Sequence, residues 1–109
     1  MSSAKISTGP GEGDVTGPDA GAGVVLVRYW AAARAARGVA EERVEVPAEG
    51  VTISELLAGV TERGTPRLAA VVAICSVLLD ETAVHGPDVR VALARPGSVV
   101  DLLPPFAGG

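Results

Sequence analysis

The chain has 109 residues, enough for one domain and not two. A net charge of −4 argues against a nucleic-acid binder, which ordinarily carries a basic patch, and fits a protein that meets basic partner surfaces. Hydrophobic residues make up 48% and aromatic ones only 3%, so a core has to be built from Val, Leu, Ile and Ala. The single cysteine, Cys75, excludes an internal disulfide and a multi-cysteine metal site. The single histidine, His85, has no cysteine near it and excludes the usual zinc spacings, so no metal is expected. No stretch reaches the roughly 18 uninterrupted apolar residues of a membrane span. The N-terminus lacks the charged-then-apolar pattern of a signal peptide, so a cytoplasmic protein without membrane contact is the expectation.

Residues 1–22 are dominated by Gly, Pro, Ser, Thr and Asp, with Ile6 and Val15 as isolated aliphatics. Such a segment buries too little apolar surface to offset its ordering entropy, and it reads as a disordered arm. The folded part is expected over 23–103. GVVLVRYW, residues 23–30, is β-branched and aromatic and predicts a strand. Alternation puts Val25, Val27 and Tyr29 on one face and Leu26, Arg28 and Trp30 on the other. Arg28 marks the second face as solvent-facing, which leaves Trp30 outside or at the rim. AAARAARG follows, an alanine-rich helical segment over Ala31 to Arg37 that Gly38 stops. Arg34 and Arg37 read there as helix-surface charges. ERVEVP then alternates polar and apolar with Val44 and Val46 inward, and Pro47 closes the strand.

The stretch from Val51 to Gly64 carries the clearest helix signal. Thr52 and Glu55 form a capping box. Ile53, Leu56, Leu57 and Val60 fall on one helical face, and Gly64 with Pro66 ends the helix. PRLAAVVAICSVLL is ambiguous between helix and strand; a turn of helix becoming a buried strand over Val71 to Leu79 is the expectation. A Pro-Gly turn precedes the last strand, Ser98 to Leu103. There Val100 and Leu102 point one way, and Val99, Asp101 and Leu103 the other; the charge of Asp101 suggests that this second set faces water. The order is β, β, helix, β, short elements, β. That is an α+β domain with one main helix packed across a mixed sheet, which matches a β-grasp, the ubiquitin-like architecture.

The usual catalytic constellations are absent. Cys75 lies in an apolar run and reads as an inert thiol. The Gly-rich stretch near residue 9 follows no strand and opens no helix, so it is not a phosphate cradle. The tail over 104–109 is different. Pro104 and Pro105 cannot donate to a ladder, so the sheet ends there and the chain is stiffened outward. Phe106 and Ala107 lead to Gly108 and Gly109, which carry no side chains. Such a terminus can thread a narrow channel and leaves a carboxylate without steric cover. An enzyme that activates a terminal carboxylate as an acyl-adenylate needs such an end.

DLLPPFAGG resembles the C-terminus of the MoaD/ThiS sulfur carriers, most closely the small subunit of molybdopterin synthase. VRYWAAARAARG resembles that subunit's first strand and following turn, and VTISELLAGV sits where its main helix should be. The resemblance covers residues 24–109. It implies a β-grasp fold and a non-catalytic carrier with no cofactor of its own. The partner, an E1-like adenylyltransferase/sulfurtransferase, would use ATP and Mg to adenylate Gly109 and convert it to a thiocarboxylate. The tail would then enter the molybdopterin synthase large subunit and donate sulfur in molybdenum cofactor biosynthesis. Trp30, Leu103 and Phe106 would be apolar anchors, with Leu78 a weaker one, and Arg34 matches a basic position of the family. The sequence departs from the family in ICSVLLDE and in a long ETAVHGPDVRVALARPGS stretch. Three other readings stay open: a carrier for thiamin thiazole, cysteine or a natural product, a ubiquitin-like modifier joined to lysines, and a plain interaction domain.

Overall fold

A computed structural model describes residues 22–105. The expected arm lies outside the described residues except for Ala22, as do Phe106, Ala107, Gly108 and Gly109 of the tail. The first strand, β1 (Gly23–Tyr29), has the alternation that its sequence dictates: Val25, Val27 and Tyr29 are buried, and Leu26 and Arg28 are half-buried on the opposite face. The chain leaves the sheet at Trp30 and enters α1 (Ala31–Arg37). Gly38 ends α1 in the left-handed region, φ 93°, with its N–H on the Arg34 carbonyl. Then β2 (Glu41–Val46) returns antiparallel to β1, in a register that runs from Gly23 opposite Val46 to Arg28 opposite Glu41.

A two-residue strand, β3 (Val51–Thr52), leads into α2 (Ile53–Glu62). The capping box is formed: the Glu55 N–H donates to Thr52 Oγ1 at 3.1 Å, and the Thr52 N–H donates to the Glu55 carboxylate at 2.9 Å. Ile53, Leu56 and Val60 are the buried stripe of this helix. After it the structure departs from the expected strand over Val71 to Leu79. Pro66–Val72 is a third helix, α3, and the strand β4 covers only Ser76–Leu79. The reason is local. Thr65 accepts the Leu68 N–H at 3.2 Å, Pro66 occupies the first turn where a missing N–H costs nothing, and Leu68 and Val72 bury one face at a spacing of four.

A tight hairpin joins β4 to β5 (Thr82–Val84). A 3-10 turn (Gly86–Arg90), a two-residue strand β6 (Leu93–Ala94) and the last strand β7 (Val99–Leu103) complete the chain. The main sheet has the order β2-β1-β7-β4-β5, and β3 pairs with β6 in a small second sheet. The first and last strands are parallel neighbours, and the other pairs are antiparallel. The core lies between the sheet's inner face and the helices. Val25, Val27, Ile53, Val60, Leu68, Val100 and Leu102 are fully buried there, with Tyr29 as its only buried aromatic among the described residues. This is the β-grasp.

Candidate functional site

Topology fixes where the tail departs. Because β7 runs parallel to β1, with Tyr29 beside Leu102, the two strands finish at the same end of the sheet. The Trp30 N–H adds one more rung, donating to the Leu102 carbonyl at 3.2 Å. Leu103 is the last strand residue, and Pro104 and Pro105 follow it without N–H groups, so the ladder stops. Pro104 is half-buried and Pro105 exposed. The chain therefore leaves the middle of the sheet next to Trp30.

The outer face of the sheet at this end gathers the expected anchors. Trp30 is 46% exposed. Leu103 lies opposite Ser76, and Leu78 lies opposite Asp101, so both leucines share the face of Asp101 and both are half-buried. Arg34 is not part of this row. It is exposed on α1, on the helix side, and its side chain makes no ion pair among the described residues. Phe106 is an expected anchor that falls outside the described residues.

Asp101 does not face water, contrary to the sequence expectation. It is 3% exposed. The register sets Arg28 directly beside it, and the guanidinium clasps the carboxylate from above, Nε to Oδ1 at 2.7 Å and Nη2 to Oδ2 at 3.1 Å. The Trp30 indole N–H donates to the same Oδ1 at 2.8 Å. The Arg28 guanidinium carbon also lies 5.8 Å from the centre of the Trp30 ring, within range of a cation–π contact. Burial pushes the Asp101 carboxyl up, but the Arg28 and Trp30 donors outweigh it and hold it below the usual carboxylate range. The Asp101 contact raises the Arg28 pKa in turn.

A second cluster ties the helix layer to the sheet. Glu42 accepts from Arg37 Nε at 2.9 Å and Nη2 at 3.0 Å, and the Tyr29 hydroxyl donates to the same carboxylate. Arg63 stands 3.8 Å away. Arg37 is thus a structural clasp and not a free surface charge. The Arg37 bonds hold the Glu42 carboxyl low against the effect of burial, while burial and Glu42 push the Tyr29 phenol up. Burial likewise pushes the half-buried Cys75 thiol up, which makes it a poor nucleophile. Among the described residues no cluster of three or more His, Cys, Asp or Glu could hold a metal, and no helix is long and apolar enough to cross a membrane.

Residues 27–109 match the ThiS family. The chain belongs to the ThiS family. Solved structures agree with the fold. The putative molybdopterin converting factor subunit 1 of Pyrococcus furiosus is 25% identical with a TM-score of 0.64, over 77% of this chain and 99% of that one. Small archaeal modifier protein 1 of Methanosarcina acetivorans is 20% identical with a TM-score of 0.65, over 81% and 98%. The complex of subunits 1 and 2 of molybdopterin-converting factor from Helicobacter pylori 26695 contains a chain 24% identical with a TM-score of 0.53, over 79% and 99%. No curated protein matches this ThiS-family chain.

Proposed function

We propose that this ThiS-family chain is the sulfur-carrying small subunit of a molybdopterin synthase. In this reading the Gly109 carboxylate attacks the α-phosphate of ATP on an E1-like activating enzyme that uses Mg, and pyrophosphate leaves. A persulfide sulfur of the sulfur-delivering partner then displaces AMP to give an acyl disulfide, and a thiol attacks the partner's sulfur of that bond, so that a thiocarboxylate leaves on Gly109 and the two partner sulfurs end as a disulfide. The tail delivers that sulfur inside a large subunit, which supplies the catalytic groups. The observation that carries the reading is the family match, which runs through Gly108 and Gly109. The exit of β7 beside Trp30, Leu103 and Leu78 supports it, because a partner that grips this apolar face stands where the tail begins. The Pyrococcus furiosus likeness favours the molybdopterin branch, and the Helicobacter pylori complex gives a subunit 2 as the kind of partner.

The likeness to small archaeal modifier protein 1 favours a second reading, conjugation of Gly109 to lysines. Intact-mass spectrometry separates the two. The chain is incubated with its activating enzyme, MgATP and a persulfide source, beside a chain lacking Gly109. A gain equal to one oxygen-for-sulfur exchange, seen only in the full chain, is the expected result. ATP consumption without exchange, together with conjugates in cell extracts that survive boiling and reductant, would move the modifier reading ahead. A carboxylate that is never activated would end both.

A further inference from the structure

Asp101 is the one buried charged or polar residue among the described residues, and its place is unusual. It sits on the outer face of a central strand, not in the core. The rungs that join β1 to β7 are main-chain bonds and do not need it. A buried ion pair is weak evidence for stability, since an apolar residue of similar volume commonly serves the fold as well or better. What a buried carboxylate does supply is one defined geometry for the groups that bind it. Here those groups are two outward side chains, Arg28 and Trp30, at the sheet end where the tail leaves.

Trp30 without a partner would be a half-exposed ring with several rotamers open to it. Two contacts remove that freedom: the 2.8 Å bond from its indole N–H to Asp101 Oδ1, and the guanidinium 5.8 Å from the ring centre. Arg28 is itself fixed by a two-point bond to the same carboxylate, so one buried group orients both. An aromatic anchor held in its docked pose binds more tightly, because its ordering cost is not charged to the complex. We infer that Asp101 is a positioning residue for partner docking: it fixes the pose of Trp30 through the indole N–H and through Arg28. The carrier reading above supplies the identity of the partner; the pose of Trp30 stands apart from it.

Trp30 is the only tryptophan, so its fluorescence reports this pose without labels. Asp101→Leu removes every acceptor, whereas Asp101→Asn keeps one oxygen that can still accept from Arg28 Nε and the indole N–H and loses only the acceptor of Arg28 Nη2. In the free chain, with the fold checked by circular dichroism, Asp101→Leu should show faster anisotropy decay and an acrylamide quenching constant raised about twofold, the measure of a released indole, and Asp101→Asn a smaller change in the same direction. In adenylation by the activating enzyme, KM for Asp101→Leu should rise at least about fivefold with kcat within about twofold, the pattern of lost binding. In a Trp30→Phe background, which keeps a ring and lacks the N–H, Asp101→Leu should add less than about twofold, because the two act as one unit. Unchanged quenching and anisotropy overturn the inference, and so does a KM effect that persists in full without the indole. A wild-type chain that is not adenylated overturns the carrier reading and the docking half of this inference with it; the fluorescence then decides whether Asp101 sets the pose.

Discussion

Among the described residues, Glu42 and Asp101 are the two carboxylates that the fold clasps with arginine, and both are held below the usual carboxylate range, by Arg37 and Tyr29 in one case and by Arg28 and Trp30 in the other. In the unfolded chain they return to about 4.3 and about 3.9. The stability they contribute is therefore complete above those values and is lost as pH falls through the lower folded ones. Urea melts should give a constant midpoint from neutral pH down to about 5 and a falling one below about 4. The Glu42→Gln, Asp101→Asn chain should start lower and show a flatter acid limb; acid limbs of equal steepness would contradict the assignment. Glu42→Ala alone should cost about 2 kcal/mol, since it leaves the Tyr29 hydroxyl and Arg37 without their acceptor. Part of this was legible. Glu42 shares the parity of the inward Val44 and Val46, so alternation by itself points it at the helix layer. Reading Arg37 as a surface charge fails because its partner Glu42 lies on another element, and reading Asp101 as a solvated one fails for a related reason. A charge on a strand looks solvent-facing until its cross-strand neighbour is known, and the register of β1 against β7 is not written in either segment.

Elements with their own local signals were legible, and those that depend on distant packing were not. α2 carries its start in Thr52 and Glu55 and its period in Ile53, Leu56 and Val60, so the sequence predicts it and the structure has it. Thr52→Ala should remove about 1 kcal/mol, read as a drop of several degrees in Tm. An unchanged Tm would mean that packing alone holds the helix end. The run from Pro66 to Leu79 was harder because its apolar residues satisfy both helical and strand periods. The Thr65-Pro66 start decides for α3, and the strand can begin only after the turn over 73–75. The small sheet was invisible, since two-residue strands have no period. Gly50 shows what that pairing demands: its φ is 85°, and an added Cβ would lie 2.6 Å from the Ala94 carbonyl oxygen. Gly38, with φ 93°, has open space around it. Gly38→Ala should therefore cost about 1 kcal/mol of left-handed strain, and Gly50→Ala distinctly more, because backbone must move as well. Equal losses in urea melts would show that β3 and β6 yield freely.

At the scale of the whole molecule the strand order does what no single element can. The chain's last strand is inserted between its first and its fourth, so the segment closest to the tail is among the most deeply buried. Val100 and Leu102 are fully covered, while Leu103 at the rim is already half-exposed to the outer face. The order of elements pointed to a β-grasp without giving the strand order, and the double proline after Leu103 marked where the sheet stops. Folding and chemistry should then come apart sharply within a few residues. Leu102→Ala hollows the centre of the sheet and should cost between about 2 and 5 kcal/mol, enough to unfold much of a marginal domain. Removal of Gly108 and Gly109 takes away no residue of the described core, and it should leave Tm within about 2 °C of the full chain. The same truncation should abolish adenylation by the activating enzyme and any gain of sulfur mass. Calorimetry and intact mass on one preparation of each chain make the comparison. A truncated chain that melts much lower would mean that the tail helps to hold the fold, and its lost activation would then say nothing about the carboxylate. A truncated chain that melts normally and is still activated would remove Gly109 from the chemistry altogether. An intact fold without activation is the outcome that a carrier requires, because its rigid domain and its reactive end have separate tasks.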